Sequence, residues 1–257
     1  MRNAVRPKSS HARRVGIMGD GRVGRAAVEL LLKTEPEALV TLVTIDERPW
    51  PDISLPQTCK QRSWASVNAS GGHRLLQLER LDVLVLAWWP HLLKGDLLTV
   101  APVILNTHPS YLPHGRGKDP NFWALAEGCP FGVTIHHVNE AIDGGDIAFQ
   151  KVIPVSWEDN GRSLYEKAVN EMIVLFSESL TKILYGEIPR KPQAADAASI
   201  HFRRELEPAS RLVLDEIVTV RGLLNLLRAR TFPPHPACRF TDGDNEFEVR
   251  IEIKRLS

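Results

Sequence analysis

The run Leu81-Asp82-Val83-Leu84-Val85-Leu86-Ala87 is apolar at odd and even positions alike. Successive side chains of a strand leave opposite faces, so such a run fits a strand covered on both sides, as in a parallel sheet flanked by helices. Comparable runs precede it, at Arg14-Val15-Gly16-Ile17-Met18 and Leu42-Val43-Thr44-Ile45, and Val103-Ile104-Leu105 follows it. After the first run, Arg25 to Lys33 carries apolar residues at helical spacing. This repeated strand-then-helix order predicts an α/β fold with a doubly wound, mainly parallel sheet. Any site then belongs at the carboxyl ends of the strands.

With 257 residues, the chain suits one large domain with or without a small appendage. Its formal net charge of +1 supplies no global basic field to favour nucleic acid or membrane, and neither is expected as a partner. Cys59, Cys129 and Cys238 are odd in number and widely spaced, which fits reduced thiols in a cytoplasmic protein and neither a disulfide frame nor a zinc site. Met1 to Arg14 is basic and polar with no apolar core, so it reads as a flexible tail and not a secretory signal.

Gly19-Asp20-Gly21-Arg22-Val23-Gly24 follows the first strand, and Asp46 lies further on, so a dinucleotide fingerprint is formally present. Any tight strand-to-helix turn needs the same glycines, and an NAD-binding protein stays open as one alternative. Pro49, Pro51, Pro56 and Ser70-Gly71-Gly72 break regular structure over residues 47–73. Trp88 and Trp89 close the Leu81–Ala87 run. On an extended chain they point to opposite sides, so at most one is core, and a flat wall for a ring-shaped ligand is one use for the other.

The most informative stretch is 103–146. Asn106 and His108 stand two apart at the end of an apolar run, so their side chains share a face, and Pro109 and Pro113 then stop the ladder. A second strand, Gly132 to Val138, leads to Asp143 in an Asp-Gly-Gly-Asp turn. Each residue alone could be turn chemistry. Together they suit acyl transfer to an amine: a donor for the tetrahedral oxyanion, a base for the amine's protons, and a carboxylate to orient an imidazole. No serine or cysteine nucleophile is required, because an amine attacks an activated formyl group directly.

Asn106-x-His108-Pro109-Ser110-x-Leu112-Pro113, Arg116-Gly117, Gly132-Val133-Thr134-Ile135-His136 and Ile142-Asp143-x-Gly145-Asp146-Ile147 resemble the N10-formyltetrahydrofolate-dependent formyltransferase family, over about residues 14–190. The resemblance implies a Rossmann-like catalytic domain at 14–190, a tail at 1–13 and a small C-terminal α+β extension at 191–257. It puts the family's catalytic triad on Asn106, His108 and Asp143. It also implies a folate site near Trp88, Trp89, Leu92, Ile142 and Asp146, and no metal.

Arg116 to Trp123 resembles the Arg-Gly-x-x-Pro-x-x-Trp segment of enzymes that formylate nucleotide-linked amino sugars, such as GDP-perosamine or dTDP-amino sugars. Acceptor contacts are accordingly expected at Lys118, Trp123, Arg203, Arg228 and Phe232, with the arginines of the C-terminal segment either meeting the acceptor's diphosphate or lying on a solvated helix face. The implied product is a formamido sugar for surface polysaccharide such as O-antigen, with methionyl-tRNA or a ribonucleotide amine as alternative acceptors. Beyond the triad, Ser163 to Tyr185 reads as an amphipathic helix with Leu164, Val169, Ile173, Leu180 and Ile183 in the core. Lys191 to Ala198 reads as a linker and Val220 to Arg230 as a short helix. Asp242-Gly243 signals a hairpin, and the alternation of Phe247 to Ile253 predicts strand with one face buried. This short tail departs from the longer C-terminal barrel of methionyl-tRNA formyltransferases. A homodimer is left open.

Overall fold

β1 (Val15–Gly19), β2 (Leu39–Thr44) and β4 (Val83–Ala87) are buried at every position, the pattern of strands covered on both faces. The chain was described from a computed structural model over residues 11–47, 49–194 and 196–256. β3 is Lys60–Ser63, β5 Val103–His108, β6 Arg116–Gly117, β7 Gly132–His137 and β8 Ile147–Val152. Seven strands form one sheet in the order β3-β2-β1-β4-β5-β7-β8. β1 runs parallel to both β2 and β4, with Ile17 opposite Leu42 and Val85, and β4 runs parallel to β5 with Val85 opposite Leu105. The order reverses between β1 and β4, which is the switch point where α/β sheets open a crevice at their carboxyl ends.

Helix α1 (Gly21–Thr34) buries Val23, Ala27, Val28 and Leu31 along one face. Its start explains the glycines. A Cβ on Gly24 would stand 2.7 Å from the backbone carbon of Gly19 and 3.2 Å from the Ala87 carbonyl oxygen. Close packing of helix on strand therefore accounts for the motif without a nucleotide.

Two compact units interleave along the chain. The first comprises the described residues of 1–108, 135–149 and 172–192. It holds α1, β1–β5, α2 (Trp64–Asn68) and α3 (Arg74–Gln77), around a core that includes Met18, Leu76, Leu84, Leu86, Trp89 and Ile104. The first ten residues of the expected tail 1–13 lie outside the described residues, and Arg13 is tied down, its N–H donating to the Leu184 carbonyl at 2.9 Å. Lys191, expected in a linker, pairs with Ile147 through two backbone hydrogen bonds of 2.8 and 3.0 Å.

The second unit comprises 109–134, 150–171 and the described residues of 193–257. In it, β6 pairs with β9 (Ile200–His201), α4 (Pro120–Glu127) packs against α7 (Val220–Arg230), and α6 is Arg203–Ala209. Helix α5 (Gly161–Tyr185) passes through both units. Its core residues include Leu164, Val169, Leu180 and Ile183, but Ile173 is only half-buried and Met172 and Phe176 are buried instead.

β10 (Cys238–Asp242) and β11 (Asn245–Val249) form the hairpin expected at Asp242-Gly243, with Phe240 opposite and stacked on Phe247. The strand ends at Val249, short of the expected Ile253. No face of β11 is buried within the chain, and Phe247 remains 45% exposed. Among the described residues no helix is long and apolar enough to cross a membrane.

Candidate active site

β5 ends in Asn106-Thr107-His108, and strand alternation sends the first and third side chains to one side. Thr107, between them, accepts a hydrogen bond from the Trp88 N–H at 2.8 Å and donates to the Leu86 carbonyl at 3.2 Å, clamping the end of β4 to β5. The backbone of Trp88 is left-handed at φ +60°, which is unusual for a bulky residue and corrects the assumption of an extended pair at Trp88-Trp89. Trp88 is half-buried, while Trp89 is 8% exposed in the core against Trp64 and His91.

Asp143 arrives from the turn between β7 and β8. The turn closes through Gly144 N–H to the Ala141 carbonyl and through the Asn139 side chain, which accepts from the Ala141 N–H at 3.0 Å. Asp143 itself sits at φ +46°, a conformation that aspartate tolerates better than most residues and that recurs at functional turns. Gly145 lies so close to the His137 carbonyl that any Cβ there would collide with it.

The three expected groups converge on this carboxylate. Asn106 Nδ2 donates to Asp143 Oδ1 at 3.2 Å, and His108 Nδ1 lies 3.6 Å from Asp143 Oδ2. His108 and Asp143 are both largely withdrawn from solvent, with side chains 6% and 12% exposed. A fourth group was missed by the sequence reading: His136 Nε2 stands 3.2 Å from Asn106 Nδ2 and 3.4 Å from Asp143 Oδ1. Its signal was a histidine pair, His136-His137, closing an otherwise apolar strand. His137 is buried, its Nε2 donates to the Pro189 carbonyl at 2.9 Å, and burial pushes its imidazole below the usual range. The described residues contain no cluster of three side chains suited to a metal.

The expected folate contacts Leu92, Ile142 and Asp146 belong to the same unit. Leu92 is 57% exposed, Ile142 is half-buried, and Asp146 pairs with Arg190 at 3.5 Å. Those expected for the acceptor lie in the second unit. Lys118 is exposed, and its backbone N–H donates to the His201 carbonyl. Trp123 stacks on His201, ring to ring at 3.7 Å and 8°, while His201 lies 3.0 Å from Glu127 and 3.2 Å from Glu205. Arg203 is exposed at the start of α6, and Phe232 packs against Tyr165 and His235.

Arg228 departs from its expected role. It is 8% exposed, donates to the carbonyls of Ser156, Trp157 and Asp159, and lies over the Trp157 ring. Burial lowers its pKa, and its donors hold the loop before α5, so it braces that loop and does not offer a fork to a diphosphate.

The sequence model of a family described as "Formyl transferase" matches residues 47–179, and one described as "N-formyltransferase dimerization C-terminal domain" matches residues 205–255. A methionyl-tRNA formyltransferase from Anaeromyxobacter dehalogenans is 30% identical over 210 residues, covering 76% of this chain and 65% of its own length. The chain spans 65% and 56% of the lengths of two such curated relatives. Among solved structures, a sugar N-formyltransferase from a Shewanella species superposes with a TM-score of 0.78 at 22% identity, covering 95% of this chain and 98% of that one. An N-formyltransferase from Helicobacter canadensis, in complex with folinic acid and dTDP-3-aminofucose, superposes with a TM-score of 0.65 at 17% identity, covering 86% and 81% of the two chains.

Proposed function

This chain belongs to the formyl transferase family, and on that premise we propose that it moves a formyl group from N10-formyltetrahydrofolate to the primary amine of a nucleotide-linked amino sugar. The observation that carries the proposal is the convergence of Asn106, His108 and Asp143, at 3.2 and 3.6 Å, at the carboxyl end of β5. The amine nitrogen bonds to the formyl carbon, and the carbonyl becomes an oxyanion that Asn106 and His108 stabilise. Asp143 orients His108 and takes a proton from the amine, directly or through water. Collapse breaks the bond to N10, which leaves with a proton, and the sugar keeps the formamide. Donor and acceptor supply all of the atoms, and the step asks for no metal.

Trp88, Leu92, Ile142 and Asp146 are the folate contacts in this reading, with Trp89 supporting Trp88 from the core. Lys118, Trp123 and Arg203 are the acceptor contacts. A sugar acceptor is supported by the near-complete mutual coverage with the Shewanella sugar N-formyltransferase. The Helicobacter protein, whose complex holds folinic acid and dTDP-3-aminofucose, supports the donor and the class of acceptor together. We place the reaction in the cytoplasm, in keeping with three unpaired cysteines, and its product in surface-polysaccharide synthesis.

One observation favours a second reading: the 30% identical relative acts on methionyl-tRNA by name. A formal net charge of +1 weighs against a polyanionic acceptor. Purified protein, N10-formyltetrahydrofolate and a panel of GDP-, dTDP- and UDP-linked amino sugars, with products read by mass spectrometry, test the proposal. A formamido sugar nucleotide is expected. Formylation of charged methionyl-tRNA instead, falling steeply with salt, would move the acceptor to the second reading.

A further inference from the structure

The chain leaves β4 through a residue in an unfavourable conformation. Trp88 is the first residue past the strand, and its φ of +60° lies in the left-handed region, where a bulky side chain is rare. Such a conformation persists only where the surroundings over-determine it. Two anchors flank it. On one side the Trp89 side chain is 8% exposed, in the core against Trp64 and His91. On the other a single hydroxyl ties the turn to β5: Thr107 Oγ1 accepts from the Trp88 N–H at 2.8 Å and donates to the Leu86 carbonyl at 3.2 Å.

The register of β4 on β5 ends with Leu86 opposite Asn106, so the Trp88 N–H lies past the ladder and the hydroxyl serves as its acceptor. Thr107 is 3% exposed and follows Val103, Ile104 and Leu105 on the strand. Valine has nearly the same shape and suits a buried strand as well, so neither packing nor strand preference asks for a hydroxyl. What the hydroxyl adds is its two bonds, one to each side of Ala87. Alternation sends Asn106 and His108 to the opposite face of β5. One three-residue segment thus carries two proposed catalytic side chains on one face and the anchor of the 88–92 loop on the other.

We infer that Thr107 is a positioning residue for the folate donor. Its hydroxyl holds Trp88 left-handed and so sets the course of the loop that includes Trp88 and Leu92. The role toward the donor rests on the formyl-transfer reading, while the hold on the turn does not.

Thr107→Val removes the hydroxyl at nearly constant shape, and Thr107→Ser keeps it. Calorimetry with 5-formyltetrahydrofolate should give a dissociation constant about 5- to 30-fold above wild type for Thr107→Val, and within about threefold for Thr107→Ser. With donor saturating, kcat should stay within about threefold of wild type in both. Unchanged donor affinity in Thr107→Val, or an equal loss in Thr107→Ser, overturns the inference. So does a fall in kcat with donor affinity intact, which would place the effect on Asn106 and His108. Exchange of the Trp88 amide proton with solvent, read by NMR, needs no ligand. It should be at least about tenfold faster in Thr107→Val than in wild type or Thr107→Ser. If wild type binds no folate and formylates no amine, the functional reading falls alone and amide exchange decides. That acceleration supports the hold on the turn, and equal rates in all three proteins overturn it.

Discussion

In the proposed reaction Asn106, His108 and Asp143 act through different physics, and their substitutions should separate. Asn106→Ala deletes an oxyanion donor, and kcat should drop about 10²- to 10³-fold with the donor's affinity little changed. Asp143→Asn keeps the shape but loses the charge facing His108 at 3.6 Å and the base for the amine, so a loss of at least about 10²-fold is expected. Steady-state kinetics, with donor binding measured separately by calorimetry, check both. His137 makes a prediction about stability. Burial lowers its folded pKa from the ordinary 6.5, so between the two values the unfolded chain binds more protons than the folded one. Stability is therefore undiminished above about pH 6.5, falls as pH drops through that value, and stops falling below the lowered folded pKa. His137→Gln, which keeps a donor for the Pro189 carbonyl, should flatten that part of the melting-temperature profile measured from about pH 8 to about pH 5. That Asn106 and His108 share a face could be read from sequence because alternation on a strand fixes it. His136 could not, because its partner Asn106 lies 30 residues away on a neighbouring strand and only the sheet order brings them together. Arg228 misled for the opposite reason: an arginine near other basic residues suggests an anion, and only the structure shows three carbonyls already taking its protons.

The turn carrying Asp143 is the element on which the site depends most. A Cβ at Gly145 would stand 1.8 Å from the His137 carbonyl oxygen, which is a backbone atom, so the turn must move to admit it. Gly145→Ala should cost about 1–3 kcal/mol of stability, and by shifting Asp143 it should lower kcat more than KM. Denaturant melts and steady-state kinetics on one preparation check this, and an unchanged melt with full activity would refute it. Buried parallel strands were legible because both faces are apolar, and α7 was legible because its boundaries fall where its pattern stops. β11 was not. Alternation from Phe247 to Ile253 says only that one face is apolar, and inside a single chain that face can end half-covered with the strand stopping at Val249.

At the scale of the molecule, exposed aliphatic residues of the described chain cluster in residues 213–220. Ile217 is 99% exposed, Val220 75%, Val213 65%, Leu214 56% and Val218 51%. Scattered surface aliphatics need no explanation, but five within eight residues do. They fall inside the segment matched by the dimerization-domain model, 205–255, so a second copy of this chain is the proposed cover. Closed two-fold pairing would present each residue twice, and burying one isoleucine is worth about 1.5–3 kcal/mol, so Ile217→Asp removes about 3–6 kcal/mol per pair. That corresponds to a rise of more than about a hundredfold in the dissociation constant of the pair. Sedimentation velocity should show wild type as a dimer at micromolar concentration and Ile217→Asp shifted toward monomer, with an unchanged melting midpoint at concentrations where both are monomeric. Because Asn106, His108, His136 and Asp143 all come from one chain, the monomeric variant should keep formyl transfer per subunit. Loss of activity alongside dissociation would mean that the partner copy contributes to the site, and a dimer unaffected by Ile217→Asp would place the interface elsewhere.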